Sequence, residues 1–187
     1  MKYSLITPCN VWEEKRREQL YRAINSVDSQ TFKDFEYIVV NDGSTLDFAV
    51  PGWVNLINKT HYERVSALNA GLKASKGEWI GFLDSDDEIE PNYFERLNEI
   101  IKDTKYKMFN FGCTYYHKDG TITKREPFTP KEEKVGHEVF GGGNIVNGTF
   151  IFHKSVYKKL GGYPPDEVKD IDCTDVNYPA FQGQEKP

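Results

Sequence analysis

Short apolar runs alternate with stretches whose apolar positions recur three or four residues apart. Tyr3–Thr7 (YSLIT) and Phe35–Asn41 (FEYIVVN) are rich in β-branched and aromatic residues and nearly continuous in hydrophobicity. That pattern predicts parallel strands covered on both faces. Between them Leu20, Ile24 and Val27 fall at helical spacing, with charge on the opposite face. Strand, helix, strand makes a βαβ unit with a right-handed crossover. The alternation continues with a strand at Trp53–Asn58 (WVNLIN), a helix at 64–75 (RVSALNAGLKAS) closed by Lys76-Gly77, and a strand at Glu78–Leu83 (EWIGFL). Pro91 suits the first position of a further helix, with Phe94, Leu97 and Ile101 along one face.

From Lys107 the texture changes. KMFNFGCTYYHKDGTITKRE predicts a strand, a turn at Lys118-Asp119-Gly120 and a returning antiparallel strand. Residues 129–144 are turn-rich, and Gly141-Gly142-Gly143 makes a candidate loop over a ligand. Residues 148–165 then give a last strand and a short helix stopped by Gly161-Gly162. The expectation is an α/β fold with a mainly parallel central sheet flanked by helices and a small antiparallel portion.

Composition narrows the function classes. A chain of 187 residues suits a single domain, here 1–187. Its net charge of -5 argues against a nucleic-acid partner, which selects a basic face. Cys9, Cys113 and Cys173 are far apart, with no CxxC pair, so a reducing, cytoplasmic setting is expected. No apolar run is long enough for a transmembrane segment, leaving at most peripheral membrane contact.

Ligands of open α/β sheets bind beyond the carboxyl ends of the strands. Those positions are Thr7-Pro8-Cys9-Asn10, Asn41-Asp42-Gly43-Ser44 and Asp84-Ser85-Asp86-Asp87. The third is the sharpest signal. Two like charges about 4 Å apart repel by roughly 4 kcal/mol at an effective dielectric near 20, so clustered carboxylates want a cation, a proton or full solvation. Hard oxygen ligands favour Mg²⁺ or Mn²⁺, commonly shared with substrate phosphates. The competing explanation is that the acids offset the dipole of the helix opening near Pro91, and that Asp42 is an ordinary NDGS turn residue.

Three segments, YSLITPCN, LYRAINSVDSQTFKDFEYIVVNDGST and SALNAGLKASKGEWIGFLDSDDEIEPNYFERL, resemble the nucleotide-binding half of family 2 glycosyltransferases with the GT-A, Rossmann-like fold. GTFIFHKSVYKKLGGYP is similar, more weakly, to the segment those enzymes place before their catalytic base. The resemblance implies a nucleotide-sugar-binding half at 1–106 and an acceptor-binding half at 107–187. Thr7 and Pro8 would wall the base and ribose pocket, with Asn10 and Ser85 among the donor-binding residues. Asp42 would bind the base, typically uracil; Asp84 and Asp86 would form the DxD motif, Asp84 toward the ribose and Asp86 on the metal. Asn69 and Gly71 lie in the variant ALNAGL, where many relatives carry an arginine at the position of Leu68; Arg64 is a candidate substitute for that phosphate contact, against its ordinary reading as a solvated helix residue.

The resemblance further implies an inverting, UDP-sugar-dependent transferase using Mn²⁺ or Mg²⁺ and acting on a glycan or glycolipid acceptor in polysaccharide biosynthesis, at the inner membrane surface if the acceptor is lipid-linked. The catalytic base departs from the family's Glu-Asp pattern. PPDEVKDIDCTDVNYPAF offers Asp166, Glu167, Asp170, Asp172 and Asp175, of which Asp172 and Asp170 lie at the favoured distance past Gly162. His137 and His153 are weaker candidates for touching phosphate or acceptor. Two other classes compete: a nucleotide-sugar-binding module without catalysis, and a phosphohydrolase with an Asp nucleophile.

Overall fold

A computed structural model of the chain describes residues 1–61, 64–102, 104–126 and 150–160. The strands are β1 (Tyr3–Cys9), β2 (Phe35–Asp42), β3 (Asn55–Lys59), β4 (Trp79–Phe82), β5 (Met108–Asn110), β6 (Cys113–Tyr116), β7 (Ile122–Arg125) and β8 (Phe150–His153). The helices are α1 (Glu14–Asp28), α2 (Arg64–Ala74), α3 (Tyr93–Ile101) and α4 (Lys154–Leu160). Among the described residues six strands form one sheet in the order β3-β2-β1-β4-β8-β5, while β6 and β7 pair separately. The contacts β3-β2, β2-β1 and β1-β4 are parallel; β8 runs antiparallel to both β4 and β5.

The continuous hydrophobicity of β1 and β2 has the predicted cause. Tyr3, Leu5, Tyr37 and Val39 join Leu20, Ala23, Ile24 and Val27 of α1 and Phe94 and Leu97 of α3 in one core layer. Ile6, Ile38 and Val40 join Ala67, Leu68 and Leu72 of α2 in the other. Alternate residues of one strand therefore feed two cores, so neither face can be polar. Gly71 sets how closely α2 approaches: a Cβ there would stand 2.4 Å from Cγ2 of Ile6, so only glycine lets the helix lie on β1.

Pro8 interrupts a central strand without costing a ladder bond. Lys2 and Ile6 accept from Trp79 and Leu83, so even-numbered residues of β1 face β4, and β4 ends at Phe82. The amide that proline lacks would have had no strand partner.

Three expectations need correction. Pro91 does not open a helix: its carbonyl accepts from the Thr31 amide at 2.9 Å, Asn92 is the cap and α3 begins at Tyr93. Trp53 lies outside β3 and stacks on Tyr37 with centroids 6.0 Å apart. The predicted hairpin from Lys107 is two units, because Met108–Asn110 joins β8 in the main sheet and only Cys113–Tyr116 pairs with Ile122–Arg125. The Lys118-Asp119-Gly120 turn does form, Asp119 accepting from the Thr121 amide at 2.9 Å.

Candidate functional site

The parallel strands β2, β1 and β4 deliver their carboxyl ends to one edge of the sheet. Register pairs Cys9 with Asn41 and Ile6 with Phe82, so the segments that follow emerge as neighbours. The chain builds outward from β1 through β2 to β3, then crosses to the other side of β1 as β4. That reversal opens a crevice beside β1, the position where such sheets take ligands.

The first two strand ends are tied together. Val11 donates its amide to Ser44 Oγ at 2.7 Å, and its carbonyl accepts from Thr45 and Leu46 at 3.0 Å. Asn10 Nδ2 donates to the Asp42 carbonyl at 2.6 Å. Asp42 is only 5% exposed, a costly place for a carboxylate unless it is hydrogen-bonded. One partner is His61, whose Nδ1 stands 2.9 Å from Oδ2 and 3.1 Å from the carbonyl of Asp42. Gly43 makes that approach feasible: it holds φ at 70°, and a Cβ would meet His61 Cβ and N at 2.5 Å. Nothing in the pattern around His61 singled it out, because its role depends on β3 returning beside β2.

The third strand end is the acidic turn after β4, closed by the Asp87 amide donating to the Asp84 carbonyl at 3.0 Å. Arg64, at the start of α2, donates through Nη2 to Asp84 Oδ1. Arg16, in the first turn of α1, reaches Asp86 Oδ2 at 3.4 Å. Asp87 reaches solvent, yet its carboxyl is pushed up to about 6, first by desolvation and then by the charges of Asp84 and Asp86, with Arg64 opposing. Two arginines therefore leave the turn with excess negative potential. Partly exposed pairs of this kind stabilise by only about 0–1 kcal/mol each, so an incoming cation or anion can displace them.

The end of α1 anchors the turn's exit. Gln30, 1% exposed, donates to the Glu90 carbonyl at 2.7 Å and accepts from the Phe94 amide at 3.3 Å. Ser26 Oγ accepts from the Ile89 amide at 3.2 Å.

Of the residues singled out from the sequence, Asn10, Asp42, Asp84, Ser85 and Asp86 lie on this edge, and Pro8 is half-buried just below it. Thr7 does not line a pocket: it is wholly buried, with its hydroxyl 2.8 Å from that of Tyr37, and braces the strand end from beneath. Asn69 is buried within α2. His153 pairs with Trp79 at the start of β4, the opposite edge of the sheet. Asp170, Asp172, His137 and the triple glycine lie outside the described residues. Among the described residues no three His, Cys, Asp or Glu side chains are grouped to hold a metal by themselves.

The likeness to known proteins agrees with this geometry. The sequence matches the family described as glycosyl transferase family 2 over residues 9–161. An uncharacterized glycosyltransferase of Nostoc sp. (strain PCC 7120) is 37% identical over 92 residues, covering 44% of this chain and 29% of that protein. The Escherichia coli UDP-Glc:alpha-D-GlcNAc-diphosphoundecaprenol beta-1,3-glucosyltransferase WfaP is 32% identical over 120 residues, covering 57% of this chain and 45% of that enzyme. The structure of S. aureus TarS 1-349 in complex with UDP superposes with a TM-score of 0.66 at 18% identity, covering 91% of this chain and 52% of that one, a likeness of fold. The chain thus spans 29%, 45% and 52% of these relatives' lengths. With the family matched across most of its residues, and the parallel sheet and switch point in place, the chain belongs to glycosyl transferase family 2 and carries the GT-A fold.

Proposed function

We propose that this chain is a divalent-metal-dependent inverting glycosyltransferase that moves a sugar from a nucleoside diphosphate donor, UDP-linked, to a hydroxyl of a glycan or glycolipid acceptor. One observation carries the proposal: Asn10, Asp42, Asp84 and Asp86 come from three different strand ends and gather on one edge at the switch point. Parallel strands bring any such turns to one edge; nothing in the fold requires two of the three to carry carboxylates there. Residues 1–106 serve the donor and 107–187 the acceptor, within one domain.

Asp42 accepts an N–H of the base through the carboxylate now held by His61. Asp84 faces the ribose, and Asn10 and Ser85 complete the donor pocket. Pro8 supplies an apolar contact from the half-buried strand end. Asp86 would hold Mn²⁺ or Mg²⁺, with the diphosphate oxygens completing the coordination. The donor set fits: hard carboxylate oxygens in a turn of excess negative potential, paired among the described residues with displaceable arginines. The bound ion would neutralise charge on the departing diphosphate. Arg64 turns from Asp84 to a phosphate oxygen in place of the arginine that relatives carry at the position of Leu68. Asp172 or Asp170 takes the proton of the attacking hydroxyl.

The names of the relatives support the donor and acceptor classes. TarS has been crystallised with UDP, and WfaP is named for a UDP-glucose donor and a diphosphoundecaprenol-linked acceptor. A lipid-linked acceptor would bring this chain to the cytoplasmic membrane surface; among the described residues no helix is long and apolar enough to cross a bilayer.

The test is calorimetric titration of UDP, GDP and CMP with and without Mn²⁺, on the wild type and Asp86→Ala. Metal-dependent UDP binding that disappears in Asp86→Ala is expected, and absence of nucleotide binding under every condition sinks the proposal. Donor binding with no sugar transfer to any acceptor, indifferent to Asp170→Asn and Asp172→Asn, would identify a non-catalytic binding module instead.

A further inference from the structure

Arg16 is the one arginine in the first turn of α1 whose placement local chemistry does not explain. Its neighbour Arg17 is used within the helix, gripping both oxygens of Glu14 at 2.6 and 2.7 Å. Arg16 instead leaves the helix and spans 70 positions of sequence to Asp86, a single contact of 3.4 Å in which the side chains are 35% and 44% exposed. A cation in the first turn also opposes the helix dipole, so helix stability does not favour it there. What holds the side chain is Trp12, whose ring lies 4.8 Å from the guanidinium carbon and which is itself 54% exposed. An indole in the loop leading from the first strand end thus carries a guanidinium to the mouth of the crevice.

The contact with Asp86 uses little of what a guanidinium can do. Arginine presents five donors in a rigid fork suited to phosphate, and here one of them makes a long, weakly held bond to the carboxylate proposed as the metal ligand. A divalent cation held by Asp86 would remove that partner and repel the guanidinium, while the donor's diphosphate would bring anionic oxygens to the same place. Trp12 would keep the side chain at the crevice through the exchange.

We infer that Arg16 is a positioning residue of the donor site, exchanging the Asp86 carboxylate for a diphosphate oxygen as the metal takes Asp86, with Trp12 as its platform. This rests on the donor-site reading above and adds to it a second arginine on the opposite side of the acidic turn from Arg64. The exchange has a distinctive signature, because Arg16 competes with the metal yet assists the nucleotide.

The experiment compares the wild type with Arg16→Met and Trp12→Leu. Mn²⁺ binding without nucleotide is followed by the spin resonance of the free ion, and UDP and uridine binding by calorimetry at saturating Mn²⁺. Arg16→Met is expected to bind Mn²⁺ at least as tightly as the wild type and UDP roughly tenfold more weakly, with uridine unchanged. Trp12→Leu is expected to weaken UDP in the same direction by a smaller factor. Unchanged UDP affinity in Arg16→Met, with the wild type binding UDP normally, overturns the inference and leaves the donor site standing. Parallel losses of Mn²⁺, UDP and uridine with a lowered melting temperature would assign Arg16 a merely structural role. A wild type that binds no UDP removes the donor site itself.

Discussion

The exposed imidazole of His61 is held 2.9 Å from the buried carboxylate of Asp42, side chains that are 64% and 7% exposed. Nδ1 stands 3.1 and 2.9 Å from two Asp42 oxygens and 3.1 Å from Asn10 Nδ2. If Asp42 reads the base of the donor, the base and His61 draw on the same carboxylate. Asp42→Asn should therefore weaken UDP and uridine alike by about tenfold to a hundredfold, the cost of a charged hydrogen bond, and leave Mn²⁺ binding intact. His61→Ala should leave UDP affinity unchanged or raise it. Calorimetry on both variants decides: a loss confined to UDP, sparing uridine, would move Asp42 from the base to the phosphates.

The acidic turn owes its position to Gln30. Its amide bonds both the Glu90 carbonyl and the Phe94 amide from a site that is 1% exposed, joining the end of α1 to the entry of α3. Gln30→Leu keeps the volume and strands the buried Phe94 amide, while the Glu90 carbonyl still accepts from the Tyr93 amide at 3.0 Å. A stability loss of about 1–3 kcal/mol is expected by urea unfolding, together with weaker Mn²⁺ binding. A loss under about 0.5 kcal/mol would mean the turn holds itself.

Much of this was legible in the sequence because the relevant physics is local. Continuous β-branched runs mark strands buried on two faces, and the Asp84-Ser85-Asp86 cluster advertises its charge wherever it sits. The rest depends on pairings that no local period encodes. Arg16 meets Asp86 across 70 positions. Met108–Asn110 is too short to declare a partner, and what fixes it in the main sheet is β8, some forty residues later in the chain. Pro91 carries the composition of a helix start, but its carbonyl is taken by Thr31 and the helix opens two residues on. Thr7 follows the pattern of a strand-end ligand, while the parity of β1 turns it toward Tyr37 and into the core.

The approach of α2 to β1 should tolerate no side chain at Gly71. A methyl group at 2.4 Å from Ile6 Cγ2 meets a branched side chain that is itself wholly buried, so the helix or the strand must shift. Gly71→Ala is expected to cost about 1–3 kcal/mol in spite of the better helix propensity of alanine, which alone would favour it by about 1 kcal/mol. Because β1 carries the first strand end, the shift should also lower UDP affinity. A variant as stable as the wild type would show that the interface has slack.

Cys9 gives the protein an alkaline weakness. It is 4% exposed at the end of β1, and its thiol is pushed up from an ordinary value of 9.0 to about 12, first by burial and then by the charge of Asp42. The folded state therefore holds this proton more tightly than the unfolded chain does. The stability that follows is fully present below pH 9.0, the unfolded value, and is lost as pH rises toward about 12. In that window the slope for one proton is about 1.4 kcal/mol per pH unit. Tyr3, Tyr37 and Tyr93 are raised in the same direction by burial, but from 10.0, so the interval between 9.0 and 10.0 is where Cys9 contributes most distinctly. Urea midpoints measured across that interval should fall in the wild type and fall less steeply in Cys9→Ala, whatever the baseline stability of the variant. Equal slopes in the two proteins would mean that the Cys9 thiol ionises as readily in the folded chain as in the unfolded one.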